Sequence, residues 1–193
     1  MPERPHSQLF GNLEWPTDEK TVTQRFRENP QNYAGFGLPG HDGWDIRAAD
    51  GSAVKAVLEG TVYDVAAEPR GNYGIQVRVQ HDRHLGGYKT VYAHGKKALV
   101  KVGDQVTKGQ RLMDADSTGN STGSHLHLTL KKDGATERGE TDYPSGIVDP
   151  GPWLEPLLAP ALPYSAKVKA GKSVIVRYST GKATASSQDI ISQ

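Results

Sequence analysis

The feature that most constrains the fold of this chain is a series of short β-like runs, separated by glycine, between residues 53 and 131. Within Tyr73–His81, the apolar residues Ile75, Val77 and Val79 alternate with polar ones. A period of two is typical of a strand that buries one face. Helical periodicity is nearly absent, so this stretch predicts a mostly β domain built on an antiparallel sheet. The other strand-like runs are Ala53–Ala66, Tyr88–His94 and His125–Lys132.

Composition narrows the classes of function. The 193 residues fit one domain with appended segments, and the formal net charge of +1 gives no indication of the concentrated basic face that a nucleic-acid partner requires. Because no apolar run reaches about 18 residues, no transmembrane helix is predicted. Cysteine is absent, which excludes disulfides and thiolate ligands, so any metal must be bound by His, Asp or Glu.

The two ends of the chain are less patterned than its middle. Residues 1–35 are polar and contain prolines, and we expect them to run along the surface as a lead-in. The N-terminus lacks the apolar stretch of a signal peptide, so we expect either a protein not exported by that route or a piece of a longer one. The proline-rich segment 144–163 is predicted to close the domain, with Trp153 and Leu154 docked on it.

These features predict a chain in three parts. The last part contains one strand-like run, Lys172–Tyr178, and then a Ser/Thr/Ala-rich end. About 30 residues cannot build an independent core, so we interpret it as a linker or the start of a second module. The predicted boundaries are 1–23 for the lead-in, 24–160 for the main domain and 161–193 for the C-terminal part.

Histidines supply the candidate chemistry. His125 and His127 flank one leucine on a strand, so their imidazoles point to the same face, about 7 Å apart. This motif alone has many chance matches. A second pattern places His41 four residues before Asp45, with Gly40 and Gly43 allowing the backbone to curl so that the two side chains converge. By itself that pattern also fits a glycine-rich turn whose aspartate hydrogen-bonds its own backbone.

A third histidine, His94, ends a β run in the sequence Tyr92-Ala93-His94, and alone it would be read as a half-buried strand residue. The combination changes the interpretation. One aspartate and two histidines from separate segments give three protein ligands and leave a fourth position for water, which is the form of a catalytic zinc site. Two further histidines then remain to handle the proton of that water and the developing oxyanion.

Four motifs together resemble the LytM/lysostaphin-type peptidases, peptidase family M23. GHDGWDI, VYAHG, KVGDQVTKGQ and STGSHLHL occur in the order and approximate spacing of that family, and the similarity covers roughly residues 24–156. The resemblance implies a small antiparallel β-sheet domain of the duplicated-hybrid type with a zinc-containing groove. It implies a zinc-dependent endopeptidase that hydrolyses stem peptides or cross-bridges of peptidoglycan at the bacterial cell wall, in an extracellular or periplasmic location. We expect a monomer.

The resemblance also implies residue roles. His41, Asp45 and His127 correspond to the family's zinc ligands, and His94 and His125 to its catalytic histidines. The chain departs from the family pattern at Ser124, where relatives often have proline, and at Leu128-Thr129 after the last ligand. Neither departure removes a ligand or a proton carrier, so we expect an active enzyme.

Other residues receive weaker assignments. Tyr33 is a candidate for the substrate-contacting tyrosine that some relatives carry before the first ligand. His81 and His84 are predicted to lie in a solvated turn, and His6 to be inert. Residues 119–123 are predicted to form the turn that feeds the strand with His125 and His127. Two alternatives stay open: a catalytically silent peptidoglycan-binding or regulatory module, and a component of a phage tail or lysis apparatus that carries this domain.

Overall fold

The computed structural model describes residues 13–82, 87–158, 172–179 and 182–189. The chain divides into two compact units, Met1–Ala159 and Pro160–Gln193. The first unit holds a ten-stranded sheet and the second a two-stranded one. Every strand pair in these described ranges is antiparallel, which confirms the predicted mostly β, antiparallel fold.

Short strands dominate the first unit, as the frequent glycines in the sequence predict. The strands are β1 (Val22–Gln24), β2 (Trp44–Arg47), β3 (Ala53–Lys55), β4 (Gly60–Ala66), β5 (Ile75–Gln80), β6 (Tyr88–Ala98), β7 (Gln105–Val106), β8 (Arg111–Ala115), β9 (His125–Lys132) and β10 (Ile147–Val148). The main path of the sheet runs in the order β1-β2-β9-β6-β5-β4-β7, with β10 paired to β9 and β8 paired to both β3 and β6. Two short helices, α1 (Pro30–Tyr33) and α2 (Gly151–Leu158), accompany the sheet.

Strand β9 separates the core from the opposite face of the sheet. Leu126, Leu128 and Leu130 are all buried in the hydrophobic core. Because successive side chains of a strand alternate, His125 and His127 point away from these leucines. The same strand therefore contributes both to the stability of the domain and to the candidate site.

Pairing of β9 with its two neighbours brings distant motifs together. In the register, Asp45 of β2 lies opposite His127 on one side, and Ala93 of β6 lies opposite it on the other. Adjacent strands are about 4.8 Å apart, so residues 82 and 34 positions away in sequence become lateral neighbours. His94 immediately follows Ala93 and therefore lies next to the row formed by Asp45, His127 and Ala93.

The described part of the proline-rich segment, residues 144–158, packs on the domain as predicted, and residues 159–163 lie outside the described residues. Trp153 and Leu154 lie on α2 and are buried, and the ring of Trp153 packs edge-on against Tyr88 with centroids 5.4 Å apart. At the first residue of the helix, the backbone N–H of Gly151 donates to Oδ1 of Asp149 at 2.7 Å. This bond satisfies one of the amides that a helix start leaves without an intrahelical partner.

The described part of the lead-in, which begins at residue 13, is more buried than the sequence indicated. Leu13 and Trp15 belong to the hydrophobic core, so the prediction that this segment runs along the surface is wrong for both residues. The indole N–H of Trp15 donates to the carbonyl of Glu19 at 2.8 Å. A single tryptophan buries a large apolar area without needing a periodic pattern, so polar neighbours concealed its role.

His81 also departs from expectation. Its side chain is buried rather than solvated, with Nδ1 2.8 Å from the carbonyl of Glu59 and Nε2 2.9 Å from the hydroxyl of Thr90. The prediction of a solvated turn is therefore wrong for His81, because its backbone N–H still donates to the carbonyl of Tyr88 at 3.0 Å and keeps the residue beside β6. His84 and His6 lie outside the described residues.

Replacing His81 by glutamine should reduce the loss of stability that the wild-type protein suffers between pH 7 and pH 5. Burial lowers the pKa of His81 in the folded protein, below the 6.5 of a free imidazole. The unfolded chain therefore takes up the proton first as the pH falls, and unfolding becomes easier by at most about 1.4 kcal/mol per pH unit through this group. Urea unfolding of both proteins at equal metal loading measures the difference, and equal pH slopes would contradict the neutral buried state.

The second unit is described at the level of its backbone. Strand β11 (Lys172–Ser179) covers the predicted run Lys172–Tyr178 and pairs with β12 (Lys182–Asp189). The Ser/Thr/Ala-rich end thus contributes a strand that its composition did not predict. Within the part of the chain that the structure describes, no helix has the length and apolar character needed to cross a membrane.

Candidate metal centre

A cavity of about 810 Å³ opens on the face of the sheet opposite the core. The structure brings all five predicted site residues to it, together with Tyr33. These five are His41, Asp45, His94, His125 and His127. The turn at 119–123 contributes Asn120, Ser121 and Thr122 to the same wall and leads into β9, as predicted.

Three of these side chains form a tight triangle. Nε2 of His41 lies 3.0 Å from Nδ1 of His127 and 3.1 Å from Oδ1 of Asp45. The third edge, between His127 Nδ1 and Asp45 Oδ1, is 2.9 Å. Zinc bonded at about 2.0–2.1 Å to a tetrahedral set of N and O ligands requires edges of about 3.3 Å. The triangle is therefore close to one face of a zinc coordination tetrahedron.

The hydrogen bonds of the other ring nitrogens determine which nitrogen of each histidine is available to a metal. Nδ1–H of His41 donates to the carbonyl of Arg25 at 3.1 Å, which leaves a lone pair on Nε2. Nε2 of His127 lies 2.9 Å from the hydroxyl of Thr129 and 3.4 Å from Oδ1 of Asp42, so its proton belongs there and the lone pair on Nδ1. Two lone pairs facing each other at 3.0 Å repel unless a cation or a proton lies between them. The donor set thus fits a divalent metal with nitrogen and oxygen preferences.

Electrostatics favour a positive charge at this point. Burial alone would raise the pKa of Asp45, but the side chains of His125, His127 and His41 around its carboxylate hold it well below its usual range. Burial alone would lower the pKa of His127, yet the hydrogen bond to Asp45 and the charge of Asp42 raise it. A metal ion and a proton would compete for the same lone pair on Nδ1 of His127.

His94 and His125 stand beside the triangle with their ring centroids 4.8 Å apart. Nδ1–H of His94 donates to the carbonyl of Thr118 and Nδ1–H of His125 to that of Gly123, both at 2.7 Å. In the neutral state each ring therefore keeps its lone pair on Nε2, which is the atom that can accept a proton. Nε2 of His125 lies 3.5 Å from Oδ1 of Asp45.

The backbone at His94 is strained. Its φ of 63° lies in the left-handed region that non-glycine residues seldom adopt, next to an irregularity in the pairing of β6 with β8. Such a conformation costs on the order of 1 kcal/mol and tends to occur where function fixes a side chain. Burial, assisted by the nearby His127, lowers the pKa of His94 to about 4, so the ring is neutral at neutral pH.

Several residues of the site were missed by sequence reasoning. The ring of Tyr73 stacks on His127 with centroids 5.4 Å apart, and its hydroxyl donates to Oδ2 of Asp42. Asp42 and Thr129 both orient the imidazole of His127 through Nε2. Thr129 follows His127 by two positions on one strand face and Asp42 lies inside the HDGWD motif, so both carried a local signal. Tyr73 carried none, because it comes from a different part of the chain.

Gly40 and Gly43 are required for a different reason from the expected curl of the backbone. A Cβ on Gly43 would lie 2.5 Å from the carbonyl oxygen of Leu128 and 3.0 Å from the ring of His127. At Gly40 it would lie 2.4 Å from the carbonyl oxygen of Arg27. Neither glycine has a positive φ, so close approach rather than conformational freedom requires the missing side chain.

Tyr33 lines the cavity beside His41, with ring centroids 5.4 Å apart. Its hydroxyl accepts a hydrogen bond from Nε2 of Gln24 at 3.1 Å. Burial, followed by the charge of Asp45, raises its pKa to about 12, so the hydroxyl stays protonated. Its predicted contact with substrate stays a prediction.

An antiparallel sheet with a His-Asp-His cluster in an open groove defines the lysostaphin-like class of fold. Residues 39–138, which are 100 of the 193 in the chain, match peptidase family M23. The chain belongs to this family, and the resemblance seen in the four motifs is confirmed.

The relatives that share the domain are named either as peptidases or as an activator of murein hydrolases. An uncharacterized metalloprotease of Haemophilus influenzae is 37% identical over 58% of this chain and 23% of its own length. The peptidoglycan DD-endopeptidase ShyB of Vibrio cholerae is 32% identical over 60% of this chain and 26% of its own. The murein hydrolase activator EnvC of Escherichia coli is 29% identical over 78% and 30%. The chain thus spans less than a third of the length of each of these relatives.

Solved structures agree on the fold. The catalytic domain of the antimicrobial peptidase lysostaphin from Staphylococcus simulans is 26% identical, with a TM-score of 0.51, covering 77% of this chain and 97% of that domain. A zinc-containing peptidase from Vibrio cholerae is 32% identical, with a TM-score of 0.51, covering 60% of this chain and 35% of that one.

Proposed function

We propose that this protein is a zinc-dependent peptidoglycan endopeptidase that acts at the bacterial cell wall on stem peptides or cross-bridges. The observation that carries the proposal is the convergence of three metal-binding lone pairs next to two histidines whose Nδ1 protons are already engaged. Membership in family M23 and the similarity to a peptidoglycan DD-endopeptidase support the substrate class.

His41, Asp45 and His127 would hold the metal. A zinc ion bound there would lower the pKa of a coordinated water toward about 7 and polarise the scissile carbonyl. The protein contributes the orientation of the ligands, because Arg25 fixes the ring of His41 and Thr129 fixes that of His127. Loss of such a supporting hydrogen bond typically lowers metal affinity by about 10- to 100-fold.

We assign the proton transfers to His125. Its Nε2 faces the Asp45 carboxylate at 3.5 Å, which favours the imidazolium that forms when it accepts the proton of the attacking water. The same proton then passes to the amine that leaves. His94 stays neutral and presents Nε2 as a hydrogen-bond acceptor, which suits it to orient the water rather than to carry charge.

Chelation should abolish the activity on purified peptidoglycan sacculi. We expect the zinc-loaded protein to release new amino groups from sacculi, the chelated protein to release none, and re-addition of zinc to restore release. Mass spectrometry of the soluble fragments would identify the bond that is cut. Binding to sacculi without release, at stoichiometric zinc, would contradict the proposal and favour a regulatory module like the activator among its relatives.

A further inference from the structure

The sheet face that carries the histidines continues into a basic region. On β9, the alternation of side chains places Thr129 and Lys131 on the same face of the sheet as His127. Thr129 is paired with Val91 of β6, and Val91 is paired in turn with Arg78 of β5. Arg78 and Lys131 therefore approach the same part of this face from two different strands.

The cavity extends along the sheet to this row. Ile147 of β10 is the register partner of Lys131, and Ile147 lines the cavity together with Arg78 and Arg70. Four residues of strand separate His127 from Lys131, which corresponds to about 13 Å. An extended peptide whose scissile bond lies at the histidines would reach this row within about four residues.

Lys131 has no direct counter-ion among the residues that the structure describes. Its side chain is half-buried, and no carboxylate of those residues forms an ion pair with its ammonium group. Burial, followed by the charge of Arg78, lowers its pKa, with Lys89 acting in the same direction and Asp42 opposing it. Asp42 is itself engaged by the hydroxyl of Tyr73.

The neighbouring cations are only partly neutralised. Arg78 lies 3.4 Å from Oδ2 of Asp64, and Arg70 pairs with that same carboxylate. Lys89 pairs with Asp133 at 2.5 Å. With Lys131, this region therefore contains four cations against the paired carboxylates of Asp64 and Asp133 and the carboxylate of Asp42, which leaves an excess of one positive charge.

We propose that this basic region, defined by Arg78 and Lys131, binds a free carboxylate of the substrate peptide. The proposal rests on the proposed function and deepens it, because it selects one substrate class. Stem peptides of peptidoglycan carry free carboxylates on their acidic and diamino-acid residues, whereas glycine bridges carry none. A partly buried lysine is less screened by salt than an exposed one, so it discriminates well between an anionic and a neutral peptide. The enzyme therefore prefers bonds in or next to stem peptides to bonds inside glycine bridges.

A matched pair of substrates tests this preference on the full zinc-loaded chain. One is a purified cross-linked stem-peptide dimer with free carboxylates, and the other is the same dimer with those carboxylates converted to amides. We expect the wild-type protein to cleave the free acid with a kcat/KM about tenfold higher, mainly through KM. In Lys131→Met, which keeps the length of the side chain, this advantage should disappear, so that the ratio of kcat/KM for the free acid to that for the amide falls to about one.

Lys101→Met is the control, since it removes the same charge from an exposed turn between β6 and β7. It should keep the wild-type preference. Equal cleavage of both dimers by the wild-type protein, or an unchanged preference in Lys131→Met, would overturn the carboxylate site while leaving the endopeptidase proposal intact.

Failure of the wild-type protein to cleave either dimer would instead count against the proposed function. In that case a binding measurement tests the carboxylate site separately from cleavage. Titration of the fluorescently labelled free-acid dimer should give a dissociation constant about tenfold weaker for Lys131→Met than for the wild-type protein. Equal dissociation constants would rule the site out.

Discussion

Replacing His125 by alanine is expected to lower peptidoglycan hydrolysis by about 100- to 10,000-fold while one zinc ion stays bound. The loss follows from removing the side chain to which we assign both proton transfers. Zinc is retained because the triangle of His41, Asp45 and His127 atoms does not include His125. Amine release from sacculi measures turnover, and elemental analysis of the dialysed protein measures zinc.

His127→Ala provides the matched comparison, because it removes a histidine from the same strand two residues away. That variant should lose both zinc and turnover. The two variants separate the two roles: loss of zinc in His125→Ala, or near-wild-type turnover in it, would contradict the assignment of His125 as the proton carrier.

Replacing Gly43 by alanine should damage the site although the added group is a single methyl. The new Cβ would meet the carbonyl oxygen of Leu128 at 2.5 Å and the ring of His127 at 3.0 Å. Relief requires either that β2 move away from β9 or that the imidazole turn out of the triangle. We expect the free energy of unfolding to fall by about 3 kcal/mol and zinc affinity by at least about tenfold.

Gly35→Ala controls for the loss of glycine itself, since a Cβ at Gly35 meets nothing within 4 Å and its φ is not positive. It should leave stability and zinc affinity close to wild type. Urea unfolding in the presence of chelator isolates the packing cost at Gly43, and competition with a chromophoric zinc chelator measures affinity. A wild-type free energy of unfolding together with a wild-type zinc affinity in Gly43→Ala would contradict this prediction, because β2 would then move away from β9 at no energetic cost.

Whether a protein with this domain is an enzyme or a regulator depends on the residues of its site and not on its fold. Relatives that share the domain are named both as an endopeptidase and as a murein hydrolase activator, so the sheet alone does not decide the matter. In this chain the three candidate ligands converge and both further histidines have their Nδ1 protons engaged. This complete arrangement is the reason for favouring hydrolysis.

The sequence by itself determined the class of fold and the chemistry available to the site. Alternation in Ile75, Val77 and Val79 is a local signal, and all three are buried in the structure. Four short motifs in the right order resembled those of peptidase family M23, whereas the spacing of His41 and Asp45 alone also fitted a glycine-rich turn. The absence of cysteine limited the donors to nitrogen and oxygen.

Only the tertiary structure decided how these parts meet. The register of β9 against β2 and β6 sets the edges of the ligand triangle, and no local pattern specifies pairing between strands so far apart in sequence. The same holds for Tyr73, which supports His127 from a distant segment, and for Trp15, whose burial an otherwise polar segment concealed. Contacts of this kind depend on packing between surfaces that form only when the chain has folded, whereas periodicity and spacing are present in the chain beforehand.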